Sequence, residues 1–185
     1  MIDDERNMTR AAAALAIGKI DLEPLLPCLQ HPNVLVRRSV SSTLKVLGDP
    51  LSSEALIAVL KKETDGITRR NAAEALGATR DIGVVPALIE TVKYDESLGV
   101  RAGAALALGE IGDPRALESI VELLHCDNKY VRDDAARALG KLGDVRAIEH
   151  LKSLEYYNDD YLGEAARSAV KDIARKQAKK QGKRR

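Results

Sequence analysis

The chain lacks the two most apolar aromatic residues. It contains no tryptophan and no phenylalanine, and only five tyrosines among its 185 residues. Its apolar content comes mainly from alanine, leucine, valine and isoleucine, which suit closely packed helices because alanine and leucine lose little side-chain freedom there. With a charged fraction of 31%, enough to solvate an extended surface, this composition favours a repetitive α protein over a globule built around aromatic residues.

Cysteines and long apolar runs are scarce as well. The two cysteines, Cys28 and Cys126, show neither a disulfide framework nor metal-ligand spacing, so we expect two reduced thiols. No apolar run approaches the roughly 20 residues that a membrane-spanning helix requires. The acidic and polar start, MIDDERNMTR, is unlike a signal peptide. The sequence therefore predicts a cytoplasmic protein that does not enter a membrane.

Charge is unevenly distributed along the chain. The formal net charge is +1, but residues 171–185 carry eight basic residues and one acid, which leaves the first 170 residues at −6. A terminal block of like charge is typical of a solubilising segment, and it can also bind nucleic acid or an acidic protein. We expect residues 176–185 to form a disordered basic tail, with the solubilising role favoured over nucleic-acid binding.

A repeat of 31 or 32 residues runs through the sequence. The segment at 100–124, VRAGAALALGEIGDPRALESIVELL, recurs at 131–154 as VRDDAARALGKLGDVRAIEHLKSL, and weaker copies precede both. Three and four residues after an anchoring arginine come small residues, and seven after it comes a large aliphatic one. These positions share one face of a helix. The anchoring arginines of the four central copies are Arg37, Arg69, Arg101 and Arg132.

A break follows the first helix of each copy. In three copies a glycine precedes an aspartate, and in the fourth Arg80 takes the place of the glycine. Glycine supplies the left-handed residue that ends a helix, and aspartate is suited to cap the next helix. Each unit is therefore a helix, a tight turn and a second helix, and it must stack on its neighbours to bury its apolar face. The residues of this break are Gly48, Gly112 and Gly143, followed by Asp49, Asp113 and Asp144, with Asp81 after Arg80.

The pattern V-R-x-x-A-A-x-A-L-G-x-[IL]-G-D-[PV]-x-A-[LI] resembles the HEAT-like repeats of the phycobilisome lyase family over roughly residues 8–173. This resemblance implies an all-α fold, a right-handed α-solenoid of about six helix pairs, in one domain over residues 1–175. It also implies a convex side formed by the first helices and a concave side lined by the second helices. The units are expected at about 8–33, 34–64, 65–96, 97–128, 129–159 and 160–175.

The resemblance and the physics of helix capping together assign roles to the two polar columns. We expect a structural ladder in which the arginines pair with turn carboxylates or carbonyl groups of neighbouring units. Ligand contact by the arginines is the less favoured alternative. The ladder residues are Arg37, Arg69, Arg101, Arg132, Asp49, Asp81, Asp113 and Asp144.

The sequence predicts no enzyme. Bilin lyases share these repeats, but the match carries no catalytic residue across to this chain. Deoxyhypusine hydroxylase, also a HEAT-repeat protein, holds di-iron with His-Glu pairs, whereas His31, His125 and His150 are followed here by proline, cysteine and leucine. HEAT-like DNA glycosylases use aromatic side chains and a basic groove, which an acidic body without tryptophan does not supply.

A new metal site is also disfavoured, and no cofactor is expected. His125 and His150 are six residues out of register on neighbouring helices, which is too far apart for one ion. His150 with Glu118 or Glu122 would give two ligands, which make a weak site.

The concave face is the predicted binding surface for a partner protein. Its N-terminal half is small and apolar, and its C-terminal half is charged. An accessory or chaperone-like factor for a cofactor-bearing protein remains the alternative, as does an ordinary solvated face. The chain is expected to be a monomer or a weak oligomer. The candidate contact residues are Glu54, Ala58, Pro86, Glu90, Arg115, Glu118, Glu122, His125, Arg146, Glu149, His150, Tyr156 and Tyr157.

Overall fold

The computed structural model describes residue 22, residues 24–154 and residues 160–182, and this part of the chain contains nine α-helices and no strand. The first helices of the units are α1 (Val34–Leu47), α3 (Gly66–Thr79), α5 (Leu98–Ile111), α7 (Lys129–Leu142) and α9 (Asp160–Gly182). The second helices are α2 (Ser53–Lys62), α4 (Val85–Tyr94), α6 (Leu117–Leu123) and α8 (Ala147–Leu154). Short 3-10 turns cover Leu26–Gln30, Pro50–Ser52, Ile82–Val84 and Pro114–Ala116.

The helices form two layers. Each first helix packs on the first helix of the next unit, and each second helix packs against the first helix that follows it in the chain. Large aliphatic side chains at one repeated position fill the space between the layers, and the buried residues form one continuous core. The predicted all-α solenoid is therefore confirmed. The repeated core residues, none of them exposed, are Leu44, Leu76, Leu108 and Leu139 from the first helices and Leu56, Leu88, Ile120 and Leu151 from the second.

Left-handed residues end four of the first helices. Gly48, Gly112 and Gly143 have φ angles of 60°, 78° and 73°, as their place before an aspartate predicts. Arg80 adopts the same conformation, with φ of 55°, although a side chain is disfavoured there. The break between the two helices of a unit therefore has the same geometry whether or not the sequence provides a glycine.

Glycines also allow the first helices to approach one another closely. A Cβ atom placed on Gly109 would lie 2.6 Å from the carbonyl oxygen of Ala138, and one on Gly77 would lie 2.6 Å from the Cα atom of Ala107. Real Cβ atoms do not come so near, so a side chain at either position would push two helices apart. The contact recurs in the next pair of units, where Gly140 faces Ala169.

The C-terminal helix is longer than expected. α9 continues to Gly182, so the prediction of a disordered tail is wrong for residues 176–182, whereas residues 183–185 lie outside the described part. Ala174 stands where other first helices have a left-handed glycine, and it does not end the helix. Lys176 donates to the carbonyl oxygen of Lys141, and Gln177 Nε2 donates to that of Gly143 at 3.0 Å. These bonds satisfy carbonyl groups at the C-terminal end of α7.

Residues 1–21 and 23 lie outside the described part, so the structure says little of the expected first unit at 8–33. In the described residues, no helix is both long and apolar enough to cross a membrane.

Candidate partner-binding face

Arg69 joins the two loops on either side of its unit. Its Nη1 atom donates to the carbonyl oxygens of Glu63 and Thr64, at 3.1 and 3.0 Å, in the loop before α3. Its Nε and Nη2 atoms donate to the carboxylate of Asp95 after α4, at 2.9 and 3.0 Å. The side chains of Arg69 and Asp95 are 6% and 7% exposed, so the ion pair is almost fully enclosed by protein.

Arg37 repeats this arrangement one unit earlier. It donates through Nη1 to the carbonyl oxygens of His31 and Pro32, and through Nε and Nη2 to the Glu63 carboxylate at 2.5 and 3.0 Å. The hydrogen bond from Arg37 lowers the pKa of Glu63, although burial of that carboxyl opposes the change. Since the backbone of Glu63 also accepts from Arg69, the two units are joined in one continuous network.

The other two arginines of the column bond mainly to carbonyl groups. Arg132 Nη1 donates to the carbonyl oxygens of Cys126 and Asp127, at 2.8 and 2.9 Å. Arg101 differs, because its Nε atom donates to the carbonyl oxygen of Val92 at 2.6 Å. All four arginines thus make hydrogen bonds within the fold.

The aspartate column lies at the opposite end of the first helices and does not meet the arginine column. Each aspartate instead accepts from the backbone N–H two residues later, at 2.8–3.0 Å, and so caps the turn that opens the second helix. The acid partners of the arginines, Glu63 and Asp95, were missed in the sequence. A carboxylate stands 26 residues after the arginine in three successive units, at Glu63, Asp95 and Asp127, and this spacing is the signal that could have identified them. The first two accept from the arginine of their unit. The four aspartates are Asp49, Asp81, Asp113 and Asp144.

The candidate contact residues lie on the second helices and on the turns beside them. We call this surface the second-helix face. Ala58 on α2 is half-buried, and the other described candidates are exposed. Tyr156 and Tyr157 lie outside the described residues. The exposed candidates on the helices are Glu54 on α2, Pro86 and Glu90 on α4, Glu118 and Glu122 on α6, and Glu149 and His150 on α8, with His125 just after α6.

Arg115 and Arg146 are tied more closely to the fold than the other candidates. The Nη2 atom of Arg115 lies 2.7 Å from Asp113 Oδ2, and it also donates to the carbonyl oxygen of Ile82 in the preceding unit, at 3.3 Å. Hydrogen bonds from Arg115 lower the pKa of Asp113. Arg146 binds Asp144 in the same way, at 2.6 Å. The ion pairs with Asp113 and Asp144 therefore fix the orientation of these guanidinium groups before any partner contacts them.

Among the described residues, no group of three or more histidine, cysteine, aspartate and glutamate side chains could hold a metal ion. One surface feature went unnoticed in the sequence. Tyr94, at the end of α4, is 78% exposed and follows Lys93 at the edge of the same face.

The repeat columns and the layered helices can be compared with known proteins. A family model described as HEAT repeats matches residues 1–77, 53–136 and 85–171 in overlapping segments. The chain is a HEAT-repeat protein.

Two relatives of this HEAT-repeat chain are named as bilin biosynthesis proteins. The bilin biosynthesis protein PecE of Mastigocladus laminosus is 46% identical over 56 residues, which cover 30% of this chain and 21% of PecE. PecE of Nostoc sp. strain PCC 7120 is 43% identical over 56 residues and is covered to 22%. The chain thus matches about a fifth of the length of these relatives. The match confirms the resemblance to the HEAT-like repeats of phycobilisome lyases.

Solved structures extend the likeness to the whole fold. A chain in the complex of CpcE and CpcF, of phycocyanin lyase from Nostoc sp. PCC7120, superposes with a TM-score of 0.73 at 24% identity, covering 85% of this chain and 66% of that one. A designed armadillo repeat protein in complex with the peptide (KR)4 gives a TM-score of 0.62 at 15% identity, covering 89% and 86%. At such identities the likeness concerns the α-solenoid architecture.

Proposed function

We propose that this HEAT-repeat chain binds a partner protein along its second-helix face and does no chemistry of its own. The observation that carries this proposal is the contrast between two sets of charged residues. The arginine column is used within the fold, whereas each of the four successive second helices carries an exposed carboxylate, with His150 beside it on the last of them. A stack of helix pairs presents such a surface to an extended segment or a helix of a partner.

A role as an accessory subunit for a cofactor-bearing protein is the second candidate. It is supported by the likeness to PecE and to the CpcE–CpcF complex, whose names refer to bilin biosynthesis and to a phycocyanin lyase. In this version the partner is the bilin-bearing protein or another subunit of the lyase. The chain contributes recognition, and the chemistry belongs to the assembled complex.

Affinity capture with charge-reversal variants in the two helix layers tests the first proposal. The test variant combines Glu90→Lys, Glu118→Lys and Glu149→Lys on three second helices. The control combines Arg167→Glu and Lys171→Glu, which are exposed on the first-layer helix α9. A protein retained by the wild type and the control but lost from the test variant is the expected result. Equal retention by the wild type and both variants would rule out the second-helix face.

Absorbance spectroscopy separates the two candidates. A bilin is added to the chain alone, to the captured partner alone and to the two together. An accessory lyase subunit is expected to change the bilin spectrum only when both proteins are present. An unchanged spectrum in all three mixtures leaves the plain protein-binding role and contradicts the accessory one.

A further inference from the structure

A cleft of about 630 Å³ separates α2 from α4 on the second-helix face. Its aliphatic wall is formed by Ile57 and Leu60 from α2 and Ala87 from α4, and the exposed side chain of Tyr94 also lines it. The position of Ala87 is taken by Ser119 in the next unit, where α4 and α6 contact each other and Ser119 is 2% exposed. The face is therefore open between α2 and α4 and more closed at the next unit.

Carboxylates outnumber cations around this cleft. Four carboxylate side chains line it, against the two cations Lys61 and Arg69. Arg69 is already bound to Asp95, and Glu63 is bound to Arg37. The exposed carboxylates are Glu90 on α4 and Glu96. The Glu96 side chain is 81% exposed although its Oε1 atom accepts from Arg69 Nη2 at 3.0 Å.

We infer that this cleft receives an arginine side chain of the partner polypeptide. The cleft suits the three parts of an arginine side chain. The aliphatic stem packs on an aliphatic wall, the flat guanidinium face packs on an aromatic ring, and the N–H groups donate to carboxylates. An acidic side chain would be repelled by Glu90 and Glu96. A purely apolar one would strip water from these carboxylates without replacing its hydrogen bonds. The inference rests on the proposed function, because its occupant is part of the partner that the second-helix face binds.

Arginine fits better than lysine for a geometric reason. The planar guanidinium can lie on the ring of Tyr94 while its edge donates two N–H groups to one carboxylate. An ammonium group is a compact, strongly hydrated charge that makes no such paired contact. Arg69 makes such a paired contact inside this molecule, since it donates to both carboxylate oxygens of Asp95.

NMR titration of the full chain with short peptides tests this inference. The probe is the acetylated and amidated pentapeptide Gly-Ser-Arg-Ser-Gly, compared with analogues carrying citrulline, lysine or glutamate in place of arginine. We expect saturable shifts of backbone amides in α2 and α4, with millimolar affinity. Citrulline keeps the shape of arginine without its charge, and it should weaken binding at least fivefold. Shifts confined to other helices, no shifts, or equal binding of any analogue would overturn the inference.

Substitutions in the cleft provide the second half of the test. Glu90→Gln and Tyr94→Leu should each weaken the arginine peptide about threefold, as expected for an exposed ion pair and an exposed cation–π contact. Glu54→Gln, on α2 but outside the cleft lining, should leave its affinity unchanged. Partner capture that depends on the second-helix face but is unaffected by Glu90→Gln and Tyr94→Leu would refute the arginine cleft and leave the proposed function intact. If the peptide binds at the cleft but no captured protein depends on the second-helix face, the proposed function is refuted and the arginine cleft is not.

Discussion

Arg69 is a buried arginine whose side chain hydrogen-bonds to two loops of the solenoid. It spans from the loop before its unit to the loop after it, and its acid partner Asp95 is almost as enclosed as the guanidinium. Removing one member of such a pair leaves the other charge buried without compensation. The same substitution at different arginines of the repeat column is therefore expected to lower the free energy of unfolding by different amounts.

Arg69→Met should lower the free energy of unfolding by about 3 kcal/mol, because Asp95 would lose its cation. Arg101→Met should cost about 1 kcal/mol, since the described contact of Arg101 is one hydrogen bond to the carbonyl oxygen of Val92. Urea unfolding followed by circular dichroism measures both changes. Equal losses for the two variants would contradict the role given to Asp95.

Arg80 and Gly112 form a reciprocal pair at the ends of α3 and α5. Both have positive φ, and a Cβ on Gly112 would meet nothing within 4 Å. Arg80→Gly should therefore stabilise the chain by about 1 kcal/mol, and Gly112→Ala should destabilise it by a similar amount through backbone strain alone. Thermal unfolding of both variants checks the signs. A loss of stability in Arg80→Gly would mean that the Arg80 side chain contributes more than its strained backbone costs.

At the scale of the helix, the close approach of first helices is the most demanding contact. Gly109→Ala would place a methyl group against the backbone of Ala138, so we expect a loss of about 1–3 kcal/mol. Gly99→Ala is the matched control in the same helix, because its nearest neighbour, Ser97 Oγ, is 3.7 Å from the new Cβ. It should be neutral or slightly stabilising, since alanine favours helix over glycine. Equal effects of the two substitutions in urea unfolding would show that α5 and α7 are not in close contact.

Carboxylates that link α1 to α3 predict how stability depends on pH. Hydrogen bonds from Arg38, together with those from Thr68, hold the pKa of Asp65 well below its usual range, and Arg37 lowers that of Glu63. Protonation of both groups therefore favours the unfolded chain. The stabilisation is present above the unfolded carboxyl pKa, about pH 4, and is lost as the pH falls below it.

Arg38→Gln should reduce this acid-dependent part of the stability, because the pKa of Asp65 would return toward its usual value. Urea midpoints from pH 7 to pH 3 measure the difference. Arg175→Gln is the control, since Arg175 is an exposed residue 3.6 Å from Asp172. An unchanged pH dependence in Arg38→Gln would contradict the contribution assigned to Asp65.

Much of each helix could be predicted from local sequence. Glycine before aspartate defines where a first helix ends, and the repeated leucines identify the core. The extension of α9 has a local signal in Ala174, which stands in place of the helix-ending glycine. The bonds of Lys176 and Gln177 to the end of α7 could not be predicted in this way, because they join residues 35 and 34 positions apart. The acid partners of the arginines were missed for a similar reason, since Glu63 and Asp95 lie 26 residues after Arg37 and Arg69. The spacing alone does not decide the pairing, because Asp127 lies equally far after Arg101, which donates instead to the carbonyl oxygen of Val92.

Across the whole molecule, the repeat predicted the architecture better than it predicted the site. A strict period requires the units to stack, so the α-solenoid follows from the sequence. The candidate partner-binding residues were selected from many exposed side chains, and the repeat does not distinguish among them. The sequence also does not determine the distance between neighbouring second helices. The open cleft between α2 and α4 and the exposed ring of Tyr94 become visible only when the units are placed side by side.

Amide hydrogen exchange on the chain bound to its captured partner tests the central claim most directly. Binding along the second-helix face predicts slower exchange in α2, α4, α6 and α8 than in the free chain, with little change on the outer surfaces of the first helices. Protection concentrated in α1, α3, α5, α7 or α9, with the second helices unchanged, would contradict the account.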